Sequence, residues 1–439
     1  MNTGAPSVPA GPAHVAVVSF LAARAAPTGG FWIALAGGVA LARVAERRGG
    51  RLGFGASAAA MLETVAIIGP ARFGIPLTQA ATAPLLGRLE ARRVGVALQV
   101  LACGAIRLLH NTATTAFFVW IITGGLDAYA GTYDSLGRRV GIEIGTTDAL
   151  VLTAAGLLAW AVFASVVQVL VYRRGLRDWE GTARRAEAAG QVGERAIPGG
   201  ESTAPGAASA RHLDIPSGEQ RPGDRPADPA RRRRFDPRAI ALAAAVAFAL
   251  LLASTEWLLL AGVSVWLALA WSVSRGDREP LPTGLLFAAI LAGGALLFTL
   301  GGGLGLDTAL RRAARAALLV LVATWLRAAA GADGLREVAR RVLGRLRRIP
   351  AAPEAAAVLD EIASEGRLAA AGRALARQLT RVQMRPLPVL DAVLGWVVRE
   401  SAAFRPPTLP RPAATLSAGP LDGVLVLLAA VPALALGAG

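Results

Sequence analysis

The chain has 439 residues, 54% of them hydrophobic and 17% charged, with a mean hydropathy of +0.49. That is too apolar for an ordinary soluble protein of this length, so composition alone predicts an integral membrane protein. The formal charge of +16 comes from arginine without a single lysine, and its concentration in loops suits orientation across a membrane rather than nucleic-acid binding. One cysteine, Cys103, and three histidines exclude an internal disulfide and leave little from which to build a zinc or iron site.

Several separate apolar stretches of about 16 to 30 residues can cross or nearly cross the hydrocarbon as helices, and none alternates like a barrel strand. The expected fold is all-α: a polytopic helical protein, multi-pass in the cytoplasmic membrane, with two helical halves joined by a disordered cytoplasmic linker. Residues 1–13 lack the basic start and small-residue cleavage pattern of a signal peptide, so the first apolar helix is expected to be retained.

In the first half, 1–178, five or six helices are expected. Residues 14–26 form a short apolar or amphipathic helix stopped by Pro27, and 31–44 the first span, ended by the basic run RVAERRGGR (43–51) on the cytoplasmic side. Ala34, Gly37, Gly38 and Ala42 allow close helix contact there. From 55 to 86 two apolar pieces flank Gly69, Pro70 and Arg72, with Pro76 beyond. Such broken pieces predict a re-entrant hairpin or a kinked span, and a place where a small-molecule path can run. Glu63 and Arg72 are expected to pair at this break, as a structural ion pair or as part of the path.

After RLEARR (88–93), residues 95–126 read as one long helix with Arg107, His110 and Asn111 on a single face. Three polar groups this far from both helix ends should point inward, to contact a polar ligand or to tie helices together. Residues 127–147 read as an outside loop with Trp120, Tyr129 and Tyr133 as interfacial aromatics. Anchoring is the first reading of this loop, and a lid of Asp127, Tyr129 and Asp134 over an outward-facing pocket is the other. Residues 149–172 cross back and end in YRRGLR (172–177).

Residues 179–234 have almost no large apolar side chains and are expected to be a flexible cytoplasmic linker. Its RRRR run (231–234) reads as a topology signal, with anionic lipid heads or an acidic partner as the other reading. The second half, 235–439, opens with spans at 239–254 and 257–274 that turn at Thr255 and Glu256. RGDRE (275–279) follows, then spans 283–300 and 309–326 around a glycine-rich turn at 301–305. Arg311, Arg312 and Arg315, near the outer end of the last of these, run against positive-inside expectation. A basic helical insert occupies 332–405, before a final span at 421–436. In its first helix, 335–349, Leu335, Val338, Val342, Leu343 and Leu346 share one face and arginines the other, as in an interfacial amphipathic helix. A long helix at 355–384 and a third at 387–401 follow.

This order of an FDPR lead-in (235–238), four spans, basic cytoplasmic helices and one last span resembles the transmembrane component of energy-coupling factor transporters. In that family a DPR-like lead-in precedes the first helix, and coupling helices carry short arginine motifs that insert into grooves on paired ABC-type ATPases. The resemblance covers 235–439 and gives the motif roles to Arg373 in GRA, Arg377 in ARQ and Arg399 in VRE, none of them in an Ala-Arg-Gly triplet. It implies a non-enzymatic permease with no cofactor of its own. ATP would be bound by partner ATPases, in keeping with the lack of a GxxxxGK[ST] sequence in this chain. The first half then has about the size of a subunit that handles an unknown small solute. The alternative is an envelope scaffold or assembly protein whose basic region docks lipid or a partner without transport. No Ser-His-Asp, HExxH or acidic metal-binding motif points to catalysis.

Overall fold

The computed structural model describes residues 8–26, 29–70, 76–139, 141–195, 235–274, 276, 278–362, 364–383, 385–406, 416 and 418–437. Apolar segments that cannot give their backbone groups to water satisfy them internally, and every regular element among these residues is a helix. The first half supplies α1 (Ala10–Ala25), α2 (Gly30–Arg48), α3 (Gly50–Ile68), α4 (Pro76–Ala91), α5 (Val96–Phe117), α6 (Leu126–Arg139) and α7 (Thr146–Arg195). A π-helical turn, Phe118–Thr123, extends α5. The second half supplies α8 (Pro237–Ala253), α9 (Trp257–Val273), α10 (Pro280–Gly301), α11 (Leu306–Arg345), α12 (Ala352–Glu361), α13 (Glu365–Leu379), α14 (Pro386–Ala403) and α15 (Pro420–Ala430).

Five helical stretches are long and apolar enough to cross a membrane: Gly50–Ile68, Val96–Thr123, Thr146–Gly181, Pro280–Gly301 and Leu306–Arg345. The chain is a helical membrane protein. The expected first span is not among the five, nor are those expected at 239–254, 257–274 and 421–436, whose apolar helices are only 10–17 residues long. α2 is instead packed around by α1, α3, α4, α7 and α14, and most of its residues are buried. Its small residues make this possible: the Tyr172 hydroxyl lies so close to Gly38 that a Cβ there would collide with it.

Four further expectations are corrected by the structure. The outside loop at 127–147 is largely the helix α6, because Ala128, Tyr129, Ala130 and Thr132 form an inward face. Thr132 Oγ1 donates to the Phe298 carbonyl of α10 at 2.8 Å, and Tyr129 and Asp134 are engaged by Thr153 and Arg138. The linker starts late, since α7 continues to Arg195; residues 196–234 lie outside the described residues. The span 309–326 and the helix 335–349 are one helix, α11, bent at Gly331 (φ 65°, ψ 167°). The long helix 355–384 is two, α12 and α13, with Ser364 in extended backbone between them.

Packing does not follow the two halves of the sequence. One apolar core joins α1–α4 and α7 to α12–α14, with Phe20, Leu41, Tyr172, Leu359, Val393 and Trp396 inside it. The other gathers α8, α9, α11 and α15 around an edge-on contact of Trp266 with Trp325, ring centroids 5.2 Å apart. The basic helices α12–α14 therefore belong to the core of the first half. α11 is the helix that passes between the two groups.

Candidate functional site

Glu63 lies near the C-terminal end of α3 with no exposed surface. The expected partner, Arg72, lies outside the described residues, and the structure gives Glu63 to Arg336 of α11 instead. Arg336 Nε donates to Glu63 Oε2 at 2.6 Å and Nη2 donates to Glu63 Oε1, while Nη1 reaches Asp333 Oδ1 at 2.5 Å. The planar guanidinium matches the carboxylate edge with two parallel bonds, which fixes orientation as well as distance. Next in the chain, Glu337 accepts from Arg340 and Arg341 at 2.8 and 2.9 Å.

Nine residues before Arg336, across the bend at Gly331, Arg327 holds α3 one turn further on, at its C-terminal end. Its Nε donates to the carbonyl of Ile67 at 2.7 Å and its Nη2 to Glu365 of α13 at 3.3 Å. Ile67 is in the last turn of α3, where carbonyls lack intrahelical partners and the helix dipole favours a cation. Arg327 is thus a C-terminal cap supplied by the other half of the chain. Beside it is a cavity of about 310 Å³ lined by Ile67, Gly69, Glu279, Thr283, Thr324 and Arg327. This cavity of mixed polar and apolar lining lies at the end of α3 and the start of α10, next to the broken stretch after Ile68.

The same device recurs nearer the start of α11. Arg312 Nη1 donates to the carbonyl of Thr123 and Nη2 to that of Gly124 at 3.1 Å, and Arg315 Nη2 donates to that of Ile121. These carbonyls close the π-helical turn after α5, where Gly124 takes a left-handed conformation. Arg311 pairs with Glu256 and Asp307. The arginines that ran against positive-inside expectation are helix caps and ion-pair partners. Their signal in the sequence was that departure itself. For Arg327 and Arg336 the only hint was a glycine within a helical pattern flanked by alanines.

Of the three polar residues of α5, one reaches deep into the protein. Arg107 is 3% exposed; its Nη2 donates to Gln168 Oε1 of α7 at 2.6 Å, and Gln168 Nε2 donates to Thr82 Oγ1 of α4 at 2.7 Å. The chain of bonds ties three helices together. Arg107 forms no salt bridge with a described residue, and its Nε, Asn111 Nδ2 and Ser165 Oγ are buried without a partner among them. His110 is half-buried, and its side chain does not join this network.

Arg373 and Arg377 lie exposed one turn apart on α13. Arg399 of α14 is exposed too and donates to Gln378 at 3.2 Å, which brings it beside Arg377. Arg399 thus lies against the end of α13 that carries Arg377. The FDPR lead-in has a local role: Asp236 caps α8, accepting from the backbone N–H of Arg238 at 2.8 Å and from its guanidinium at 2.9 and 3.1 Å. Burial opposes the charge of Asp236, but the Arg238 bonds outweigh it and hold its carboxyl below the usual carboxylate range. Asp422, at the start of α15, accepts from the Asp236 and Gly419 backbone N–H groups at 2.8 and 2.7 Å. In this way the first and last helices of the second core are fastened together. The chain matches no protein-family model, no curated protein and no solved structure.

Proposed function

We propose that the chain is the membrane component of an energy-coupling-factor-like transporter, multi-pass in the cytoplasmic membrane. Its basic helices engage a pair of ABC-type ATPases, and the first-half bundle, with the Arg107 network and the cavity beside Arg327, handles a small solute. The observation that carries this reading is the double hold of α11 on α3 through Arg327 and Arg336. A load applied at the exposed Arg373, Arg377 and Arg399 reaches α3 through the shared core of α12–α14, and α3 passes it to α11. Rigid packed elements linked in this way move together.

The test is co-purification of the tagged full chain with the products of neighbouring genes. The expected result is capture of a pair of ABC-type ATPases, lost when Arg373, Arg377 and Arg399 are all changed to Glu. Failure to capture any ATPase, or capture that survives the charge reversal, overturns the proposal. One observation favours the scaffold reading: the apolar faces of α12–α14 are buried in the chain's own core, which leaves their exposed arginines as a docking surface that needs no transport cycle. On that reading the same purification yields envelope proteins and no ATPase.

A further inference from the structure

One face of the first-half bundle, where α1 and the start of α2 meet α13, holds a cleft of about 760 Å³. Its walls are apolar, including Val18, Leu21, Ile33, Leu368, Leu379 and Val382. Two polar side chains, Arg373 and Thr380, border it on the α13 side. Arg373, Arg377 and Arg381 follow at four-residue spacing, all exposed, and none forms an ion pair with a described residue. An apolar slot beside a row of uncompensated arginines has the two-part chemistry of an anionic amphiphile.

We propose that this cleft binds an anionic phospholipid, with an acyl chain between α1 and α13 and the phosphate held by Arg373 and Arg377. Guanidinium forks suit phosphate oxygens, and the apolar walls, with so few hydrogen-bonding groups, suit a hydrocarbon chain. The neighbouring surface favours lipid over an acidic peptide helix. Phe31, at the start of α2, stacks against Trp160 of the membrane-length helix α7 at 6.1 Å, and Trp160 against Phe163 at 6.0 Å. Both α7 side chains are exposed, so the apolar surface of a membrane-length helix reaches the start of α2, which adds Ile33 to the lining of the cleft. Arg373 and Arg377 are also the residues proposed to meet the ATPases, so lipid binding is tested on the isolated chain, where its failure and the failure of ATPase capture are read separately.

The test uses the purified full chain in detergent, with lipid retention read by native mass spectrometry and thermal stability in parallel. The probes are phosphatidylglycerol, phosphatidylcholine with the same acyl chains, and glycerol 3-phosphate. Phosphatidylglycerol should be retained and raise the melting temperature, phosphatidylcholine should bind at least roughly tenfold more weakly, and glycerol 3-phosphate should do neither. Arg373→Glu with Arg377→Glu should weaken phosphatidylglycerol binding by roughly tenfold or more. A Cβ on Gly372 meets nothing within 4 Å, so Gly372→Phe places a ring in the cleft without moving the backbone. It should abolish retention without lowering the melting temperature of the unliganded protein. Equal binding of the two lipids, retention that survives both sets of changes, an equal shift with glycerol 3-phosphate, or displacement of the lipid by an acidic amphipathic peptide each overturns the proposal.

Discussion

Arg336 of α11 and Glu63 of α3 meet across the two halves of the chain in a buried, two-pronged salt bridge, 273 residues apart in sequence. Such a pair costs several kcal/mol of desolvation per ion, which its own attraction largely offsets. Its value therefore lies in specificity: α3 can sit in only one register and orientation against α11. Arg327, capping Ile67 at the end of α3, fixes the second point. The two contacts straddle the bend in α11 and hold the last two turns of α3.

The bend itself depends on glycine. Gly331 combines φ 65° with ψ 167°, a region nearly closed to residues with a Cβ. Gly331→Ala should destabilise the protein by about 1–3 kcal/mol, read as a lowered melting temperature in detergent. The control is Gly344, also in α11, where a Cβ meets nothing within 4 Å. Gly344→Ala should be neutral or stabilise by up to about 1 kcal/mol through helix propensity.

Arg312 holds two carbonyls with one planar group. Arg312→Ala strands both at the end of the π-helical turn and should cost about 1–3 kcal/mol. Arg312→Lys keeps the charge but not the fork, so its melting temperature should fall between those of the native protein and the alanine variant. Hydrogen exchange should quicken first in the turn around Gly124.

His14 is buried in α1 against Phe404, with ring centroids 4.9 Å apart and no partner for Nδ1 among the described residues. Burial, aided by the nearby charge of Arg367, pushes its pKa from the ordinary 6.5 down to about 4. The unfolded chain then binds more protons than the folded one between these values, so stability rises with pH across that window. The contribution is complete above pH 6.5 and is lost as the pH falls towards 4, to the extent of about 3 kcal/mol. Melting temperatures at pH 4.5 and 7 should differ less in His14→Leu than in the native protein.

The clasp between α8 and α15 separates the two aspartates. Asp422→Ala leaves two backbone donors without their carboxylate partner, those of Asp236 and Gly419. Asp236→Asn keeps an oxygen that can cap α8. The first change should lower the melting temperature more than the second, and double-digestion proteolysis should release the segment from 420 onward sooner.

Sequence reading reached the helical class, the break after Ile68 and the hairpin ends at Ala253 and Trp257, because hydrophobic length and Gly/Pro punctuation are local signals. It placed Arg107 in the interior correctly, since an arginine in mid-helix has nowhere else to go. It missed that Glu63 pairs with Arg336 and that α12–α14 fold back on α1–α3. Both are contacts between residues far apart in the chain, and no local pattern encodes a partner. Within 335–349 it gave no sign that Arg336 and Glu337 are buried in ion pairs, while Val342 and Leu346 stay exposed. Arg312 and Arg315 stood out in the sequence only as departures from positive-inside placement, because which carbonyls they cap is not a local pattern.

The central claim is that α11 and α3 are locked to each other, and a double-mutant cycle at Glu63 and Arg336 tests it most directly. Melting of the native chain, Glu63→Gln, Arg336→Met and the double variant should show each single change costing about 3–5 kcal/mol, since each leaves one buried charge alone. The double change should then cost much less than their sum, with a coupling of at least about 1.5 kcal/mol. Additive single effects, with coupling near zero, would contradict a lock between the two halves.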